Sequence, residues 1–438
     1  MEPIITEITN NRDRYGKEIF DCIDRLFPIC RSITGNGVRQ SLSILQKIIP
    51  LKLHEVPSGE KVFDWSIPKE WNIRDAYIID PDGNKIVDFS EQNLHVLNYS
   101  IPVDQKVSLE ELKKHLYTLP DQPDVIPYRT SYYKEIWGFC IEYSKFQKLK
   151  PGNYHVYIDS SLEKGSLTYG EYYIPGKMKD EVLVSTHICH PSMCNDNLSG
   201  MGVVSFLARE LSRLDTRYSY RFLFVPATIG SIAWLSLNED KTNNIKHGLV
   251  ASLLGDSADF TYKKSRRANA EIDRIAAYAM QQLPGSNKII DFFPYGYDER
   301  QYCSPGFNLP VGALSRSEYG SFPEYHTSAD NKDLIKAEKL TDALLAFVKI
   351  FQILEANNLY MNTNPKCEPQ LGKRGLYDKI GGSNESKTLQ MASLWVLNQS
   401  DGKHDLLDIA EKSGISFELI VEATKQLIAC ELLEPLTE

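Results

Sequence analysis

Apolar residues recur at helical spacing early in the chain, where Ile19, Cys22, Ile23, Leu26 and Phe27 share one face. A second such stretch runs from Leu42 to Ile49, so both segments predict helices. Between them, Arg31-Ser32-Ile33-Thr34-Gly35-Asn36-Gly37 is a turn-rich loop. From about Leu53 to Ser160 the pattern shortens to alternating runs broken by Pro, Gly, Asn and Asp. Examples are Tyr77-Ile78-Ile79-Asp80 before Pro81-Asp82-Gly83-Asn84, and Trp137-Gly138-Phe139-Cys140-Ile141. That texture predicts a β-rich lobe.

Beyond Ser160 the period alternates. Strands are predicted over Glu181 to Thr186, Tyr220 to Val225, His247 to Leu254 and Val311 to Leu314. Helices are predicted over Leu198 to Leu214, Glu271 to Leu283 and Leu334 to Leu354. The reading is an α/β fold, a mostly parallel mixed sheet flanked by helices, interrupted by the β-rich domain. Active sites of such sheets lie beyond the carboxyl ends of the strands. The expected domains are 1–53 with 161–360, the insert 54–160, and a tail domain 380–438.

A linker containing Asn362, Asn364, Pro365, Lys366 and Pro369 leads to that tail. Leu406-Leu407-Asp408-Ile409-Ala410, Ser413-Gly414-Ile415-Ser416 and Ile420 to Leu432 have the spacing of a winged helix. Such a module binds DNA or serves as a structural or dimerising cap. From Lys387 onward, four Lys and no Arg stand against nine Asp and Glu, a balance of −5. Phosphate contact needs positive charge, so the cap is preferred.

The chain is long enough for two or three domains. Its 42% hydrophobic and 24% charged residues describe a globular protein, and its net charge of −9 argues against a nucleic-acid or anionic-membrane surface. Met1-Glu2-Pro3-Ile4-Ile5-Thr6-Glu7 does not read as a signal peptide, and no apolar run reaches the roughly 20 residues that span a bilayer. Eight cysteines spread thinly are expected to be reduced, in a cytoplasmic protein.

The densest chemical signal is Ser185-Thr186-His187-Ile188-Cys189-His190-Pro191-Ser192-Met193-Cys194-Asn195-Asp196-Asn197-Leu198-Ser199-Gly200. His187 ends a predicted buried strand, and Asp196 sits in the polar turn opening the next helix. Imidazole and carboxylate ligate zinc, and a carboxylate can bridge two metals about 3.5–4 Å apart. On this segment alone, a helix cap by Asp196 or Asn197 and a hydrogen-bonded core His187 explain the pattern equally well. Two later segments favour a metal: Leu253-Leu254-Gly255-Asp256-Ser257, and Pro323-Glu324-Tyr325-His326-Thr327-Ser328-Ala329-Asp330. A parallel sheet would gather these strand ends on one rim.

Asp298, Glu299 and Arg300 follow Pro294-Tyr295-Gly296-Tyr297 near that rim. They are candidate substrate contacts, with Glu299 a candidate acid/base, or else a surface ion cluster. Arg266, within Lys263-Lys264-Ser265-Arg266-Arg267, is a solvated face or holds an acidic substrate group. Tyr325 is a candidate oxyanion donor.

Several short stretches carry a family resemblance. They are Arg31-Ser32-Ile33-Thr34-Gly35, Pro57-Ser58-Gly59, Val62-Phe63-Asp64-Trp65, Pro127-Tyr128, Thr130-Ser131-Tyr132-Tyr133, Trp137-Gly138-Phe139-Cys140, His190-Pro191, Asn195-Asp196-Asn197-Leu198-Ser199-Gly200, Asp298-Glu299-Arg300-Gln301-Tyr302 and Tyr325-His326-Thr327-Ser328. Together they resemble the M28 zinc aminopeptidases, and more closely the bacterial DUF4910 branch with its inserted β domain and C-terminal winged helix. The resemblance implies a zinc-exopeptidase-like fold holding one or two Zn ions. It implies His187 as a ligand of the first metal, Asp196 as the bridging carboxylate, and Asp256 and His326 as further ligands, with His190 able to exchange with His187. Cys189 stands where many members have an aspartate behind the first histidine. Cys189 and Cys194 are themselves alternative soft ligands.

The largest departure is Phe224-Val225-Pro226-Ala227-Thr228-Ile229-Gly230-Ser231. M28 enzymes place two adjacent glutamates here, a general base and a ligand, and the nearer branch resembles Pro-Glu-Thr-Ile-Gly-Ser. Ala227 cannot take a proton, and losing a positioned base removes about 10²–10⁴-fold in rate. Either position 227 has been altered to silence hydrolysis or another base serves; one residue of difference favours the former. The expectation is an aminopeptidase-like amide hydrolase for a peptide or aminoacyl conjugate, inactivated at Ala227. Its alternatives are a small-molecule deacylase of a biosynthetic pathway, a catalytically dead metal-containing binding protein, and a ligand-sensing regulator acting through the winged helix. No nucleic-acid or membrane partner is expected, and homo-oligomerisation is left open.

Overall fold

The computed structural model describes residues 1–376 and 384–436, and the chain divides into two compact units, Met1–Val348 and Lys349–Glu438. Eight strands form the central sheet of the first unit: β1 (Lys52–Pro57), β2 (Ser166–Ile174), β3 (Glu181–His187), β4 (Ser219–Val225), β5 (Ile245–Ala251), β6 (Thr261–Lys263), β7 (Lys288–Ile290) and β8 (Val311–Ser315). Their order is β1-β2-β4-β3-β5-β8-β6-β7. The middle four, β4-β3-β5-β8, are parallel, whereas β1, β2 and β6 join antiparallel. Every residue of β3 and β4 is buried, as expected for strands covered on both faces.

Helices cover the sheet because their apolar stripes have nowhere else to go. Arg12–Leu26 buries Tyr15, Ile19, Cys22, Ile23 and Leu26, and Gly200–Leu211 lies against it. That approach needs Gly202, since a Cβ there would stand 2.9 Å from the Ile19 side chain. Arg221 on β4 makes a two-pronged contact to Glu181 on β3 at 2.6 and 2.8 Å and also reaches Glu171 on β2, pinning three strands through one guanidinium.

The β-rich segment forms a four-stranded antiparallel sheet, ordered Lys85–Asp88, Glu70–Ile79, Asn153–Glu163, Val103–Ser108. Its core residues Trp71, Ile78, Val156 and Ile158 are continuous with Leu183, Leu223 and Val250 of the central sheet. A strap from the segment reaches the central domain, with Tyr128 N–H donating to the His326 carbonyl at 2.8 Å and Ser328 N–H to Ile126 at 2.8 Å.

Within the second unit, helices Asn384–Gln399, Leu406–Ser413 and Phe417–Ala429 accompany a three-stranded antiparallel sheet. Leu359–Asn362 is its central strand, between Asp401–Asp405 and Leu433–Pro435. That sheet therefore draws on residues outside the expected tail domain, Leu359 and Tyr360 from the expected α/β domain and Asn362 from the linker. A four-residue strand beside Asn and Pro has too little periodicity to stand out until its partners pair with it.

Candidate metal centre

His187 is the last residue of β3 and is fully buried. The following loop and irregular turn, residues 188–199, return the chain so that Asp196 faces it. His187 Nε2 lies 2.8 Å from Asp196 Oδ1 and 3.2 Å from His190 Nδ1, and His190 Nδ1 lies 3.3 Å from the same carboxylate oxygen. From the other side, His326 Nε2 stands 3.0 Å from Asp196 Oδ2. Three imidazoles from two parts of the chain thus converge on one buried carboxylate. Burial alone would raise the Asp196 pKa, but His190, His187 and His326 together outweigh it and hold the carboxyl well below its usual range. Burial lowers that of His326.

The turn is held from behind. Asp330 accepts the backbone N–H of Asn195 at 2.6 Å and of Asp196 at 2.8 Å. Burial pushes the Asp330 carboxyl up to about 8 despite these bonds. Asn197 accepts from Leu253 N–H, Ser199 Oγ from Leu254 N–H, and Asn195 Oδ1 from Gly255 N–H. These bonds take the N–H groups of residues 253–255, and β5 stops at Ala251, before the predicted end at Leu254. On the open side, Tyr297 stacks on His187 at 4.5 Å and directs its hydroxyl to Asp196 at 3.2 Å, while Tyr325 stacks on His326 at 4.0 Å. Burial holds both phenols well above the ordinary tyrosine value.

The donor set suits a cation. His187, His190 and Asp196 each offer a ligand atom within 4.8 Å of the others. Four atoms around one zinc at its usual bond lengths stand roughly 3.3 Å apart, close to the 2.8–3.3 Å separations seen here. Asp196 Oδ2 and His326 Nε2, though 3.0 Å apart, are buried without a hydrogen bond that would satisfy either. Two orphaned atoms facing each other are what ligands of a shared ion present.

Residues 20–357 match the family described as a domain of unknown function, DUF4910, and residues 358–435 match a winged helix-turn-helix family. The chain belongs to the DUF4910 family. Over 434 residues it is 54% identical to a Clostridium acetobutylicum protein whose name joins polysaccharide biosynthesis to an aminopeptidase-like domain, spanning 99% of this chain and 100% of the relative. The 2.37 Å crystal structure of a C. acetobutylicum protein described as a candidate peptidase superposes with a TM-score of 0.93 at 53% identity, over 99% of this chain and 100% of that one. The Bacillus subtilis zinc aminopeptidase BSAP shares the fold at a TM-score of 0.57 and 13% identity, over 77% of this chain and 95% of its own.

Within this DUF4910 chain, the expected site residues divide. His187, His190, Asp196, His326 and Tyr325 come together as described. Ala227 lies in the wall of the adjoining cavity with Thr228, His190 and Arg300. Asp256 does not join the cluster: its carboxylate accepts from Asn195 Nδ2 at 2.6 Å and Ala258 N–H at 2.8 Å, behind the turn. Asn195 holds it there, accepting from Gly255 N–H and donating to the Asp256 carboxylate. Glu299 is buried against Lys263 Nζ at 2.9 Å and does not line the cavity. Arg266 is exposed and bonded to Asn308. Asp298 is fully buried beside Ser231 at 2.7 Å, and burial pushes its carboxyl up to about 7. Burial raises the Cys189 thiol to about 12, and neither it nor Cys194 joins the cluster. All eight cysteines are free. Among the described residues, no helix is long and apolar enough to cross a membrane. Tyr297 and Asp330 escaped the sequence reading as site residues, although both lie within segments it quoted.

Proposed function

We propose that the cluster is the metal centre of a zinc-type amide hydrolase in which turnover is suppressed by Ala227. The observation that carries the reading is the convergence of three imidazoles on Asp196 at the wall of a cavity of about 600 Å³. His187, His190, Asp196 and His326 would hold the ion, which supplies a Lewis acid for the amide carbonyl and lowers the pKa of water to about 7. Tyr325 stays protonated because it is buried, so its hydroxyl can donate to negative charge developing on the carbonyl oxygen, while the single Tyr297 hydrogen is directed to Asp196. Position 227 offers a methyl group where a carboxylate would carry the proton to the departing amine. The strap at Tyr128 bonds to the His326 loop and lines the cavity.

The substrate is a peptide, an aminoacyl conjugate or a small-molecule amide of a biosynthetic pathway. The Clostridium relative's link to polysaccharide biosynthesis favours the last. Free thiols throughout support a reducing, cytoplasmic setting. Elemental analysis of the purified chain beside His187→Ala and His326→Ala tests the centre: stoichiometric zinc in the parent and loss in both variants is expected. Ala227→Glu should raise hydrolysis of an amide panel by about 10²–10⁴-fold. Zinc retained in the histidine variants would end the assignment. Zinc present with no gain from Ala227→Glu would leave a binding protein.

A further inference from the structure

The cavity beside the cluster has a sign. Arg129 and Arg300 both line it, and among its described lining residues none is Asp or Glu. Among the described residues neither guanidinium has a carboxylate within ion-pair distance, and Arg300 lies over the Tyr295 ring at 5.8 Å. Arg129 belongs to the strap that carries Tyr128, and Arg300 lies in the short helix Glu299–Tyr302 with its Nε buried and without a hydrogen bond. The neighbouring carboxylates are already engaged, Glu299 by Lys263 and Asp298 by Ser231. Two cations without an ion pair among the described residues, in one cavity of a chain with net charge −9, are a local reversal of the overall field.

The rim adds a second feature. Trp65, Tyr133 and Tyr295 are 48, 52 and 64% exposed, and Trp65 and Tyr133 stand 5.9 Å apart between ring centroids. Large aromatic faces left in water around a polar cavity are platforms for a flat apolar ring face. A free-amine peptide is a poor match. Its ammonium would face two arginines with no carboxylate except Asp196, which three imidazoles already occupy.

Resting on the amide-hydrolase reading, we infer that the site selects an N-acyl compound bearing an oxyanion, carboxylate or phosphate, on a ring that stacks against the rim. Arg129 and Arg300 take the oxyanion and set the specificity. A guanidinium grips either group with paired N–H donors, so the two sources share one chemistry.

The test is calorimetric binding of four probes to the full chain at low salt: N-acetylmuramic acid, N-acetylglucosamine 1-phosphate, uncharged N-acetylglucosamine and cationic leucinamide. At least one anionic probe should bind about tenfold more tightly than N-acetylglucosamine, and leucinamide more weakly than all. Which anion wins decides between carboxylate and phosphate. The preference should vanish in Arg129→Gln/Arg300→Gln, return in Arg129→Lys/Arg300→Lys, and weaken with salt. Unchanged melting temperatures show that the variants fold. Leucinamide binding as tightly as the anions, or an anion preference surviving in the Gln pair, overturns the inference. Zinc measured on the same samples separates the two claims. Anion preference without zinc removes the hydrolase reading alone, and zinc with leucinamide preference removes this one alone.

Discussion

Replacing Asp298 by Asn should stabilise the protein, and only above acidic pH. Ser231 Oγ lies 2.8 Å from the Thr228 carbonyl and 2.7 Å from Asp298 Oδ1. A hydroxyl has one hydrogen for these two oxygens, so both contacts are hydrogen bonds only when Asp298 is protonated and donates. Burial points the same way, raising its pKa from 3.8 to about 7. Between those values the folded state binds a proton that the unfolded chain has released, so stability falls as pH rises through the window. A gap of about three units at about 1.4 kcal/mol each gives a penalty of about 4 kcal/mol, complete above pH 7 and absent below pH 4. The Asn amide donates to Ser231 as the acid does and does not titrate. Denaturant titrations of parent and Asp298→Asn at steps from pH 4 to 8, with chelator present, measure the difference. Asp330 titrates in both proteins and cancels. The variant should match the parent near pH 4 and exceed it by up to about 4 kcal/mol at pH 8. A difference that does not change with pH, or a variant weaker than the parent at pH 8, would refute the reasoning.

The same substitution at Asp330 should act oppositely once that carboxyl is ionised. Asp330 accepts from two backbone amides, one on each oxygen, so above pH 8 Asp330→Asn turns an N–H₂ against a donor, costing about 2–4 kcal/mol by melting and lowering zinc content. Asn195→Asp would set a second carboxylate 2.6 Å from Asp256, and should destabilise most at neutral pH and recover in acid, read by the same titrations. Gly202→Ala should cost about 1–3 kcal/mol, because the added methyl meets Ile19 where two helices touch, and a thermal melt checks it. Helix Phe417–Ala429 presents Glu418 and Glu422, so a gel shift of the full chain with duplex DNA should show no salt-sensitive retention.

The primary structure by itself determined the α/β class, the β-rich segment and the winged helix, because each depends on local periodicity: near-continuous apolar runs in β3 and β4, alternation between residues 53 and 160, and helical spacing in the tail. It also put forward His187 and Asp196, at a strand end and in the polar turn after it, and His326 in a polar loop, while His190 came from the family resemblance. Tertiary structure alone decided which groups meet. Asp256 looked as suitable a ligand as Asp196 by residue type and position, and Glu299 a suitable acid/base. Side chains of the 195–199 turn bind the N–H groups of residues 253–255, and Asn195 engages the Asp256 carboxylate, while Lys263 closes over Glu299. Conversely, Tyr297 and Asp330 acquire their places only when loops distant in sequence pack against Asp196. Short-range pattern fixes where the chain runs straight or turns. Which carboxylate is left facing three imidazoles depends on long-range hydrogen bonds whose partners no window of neighbouring residues contains.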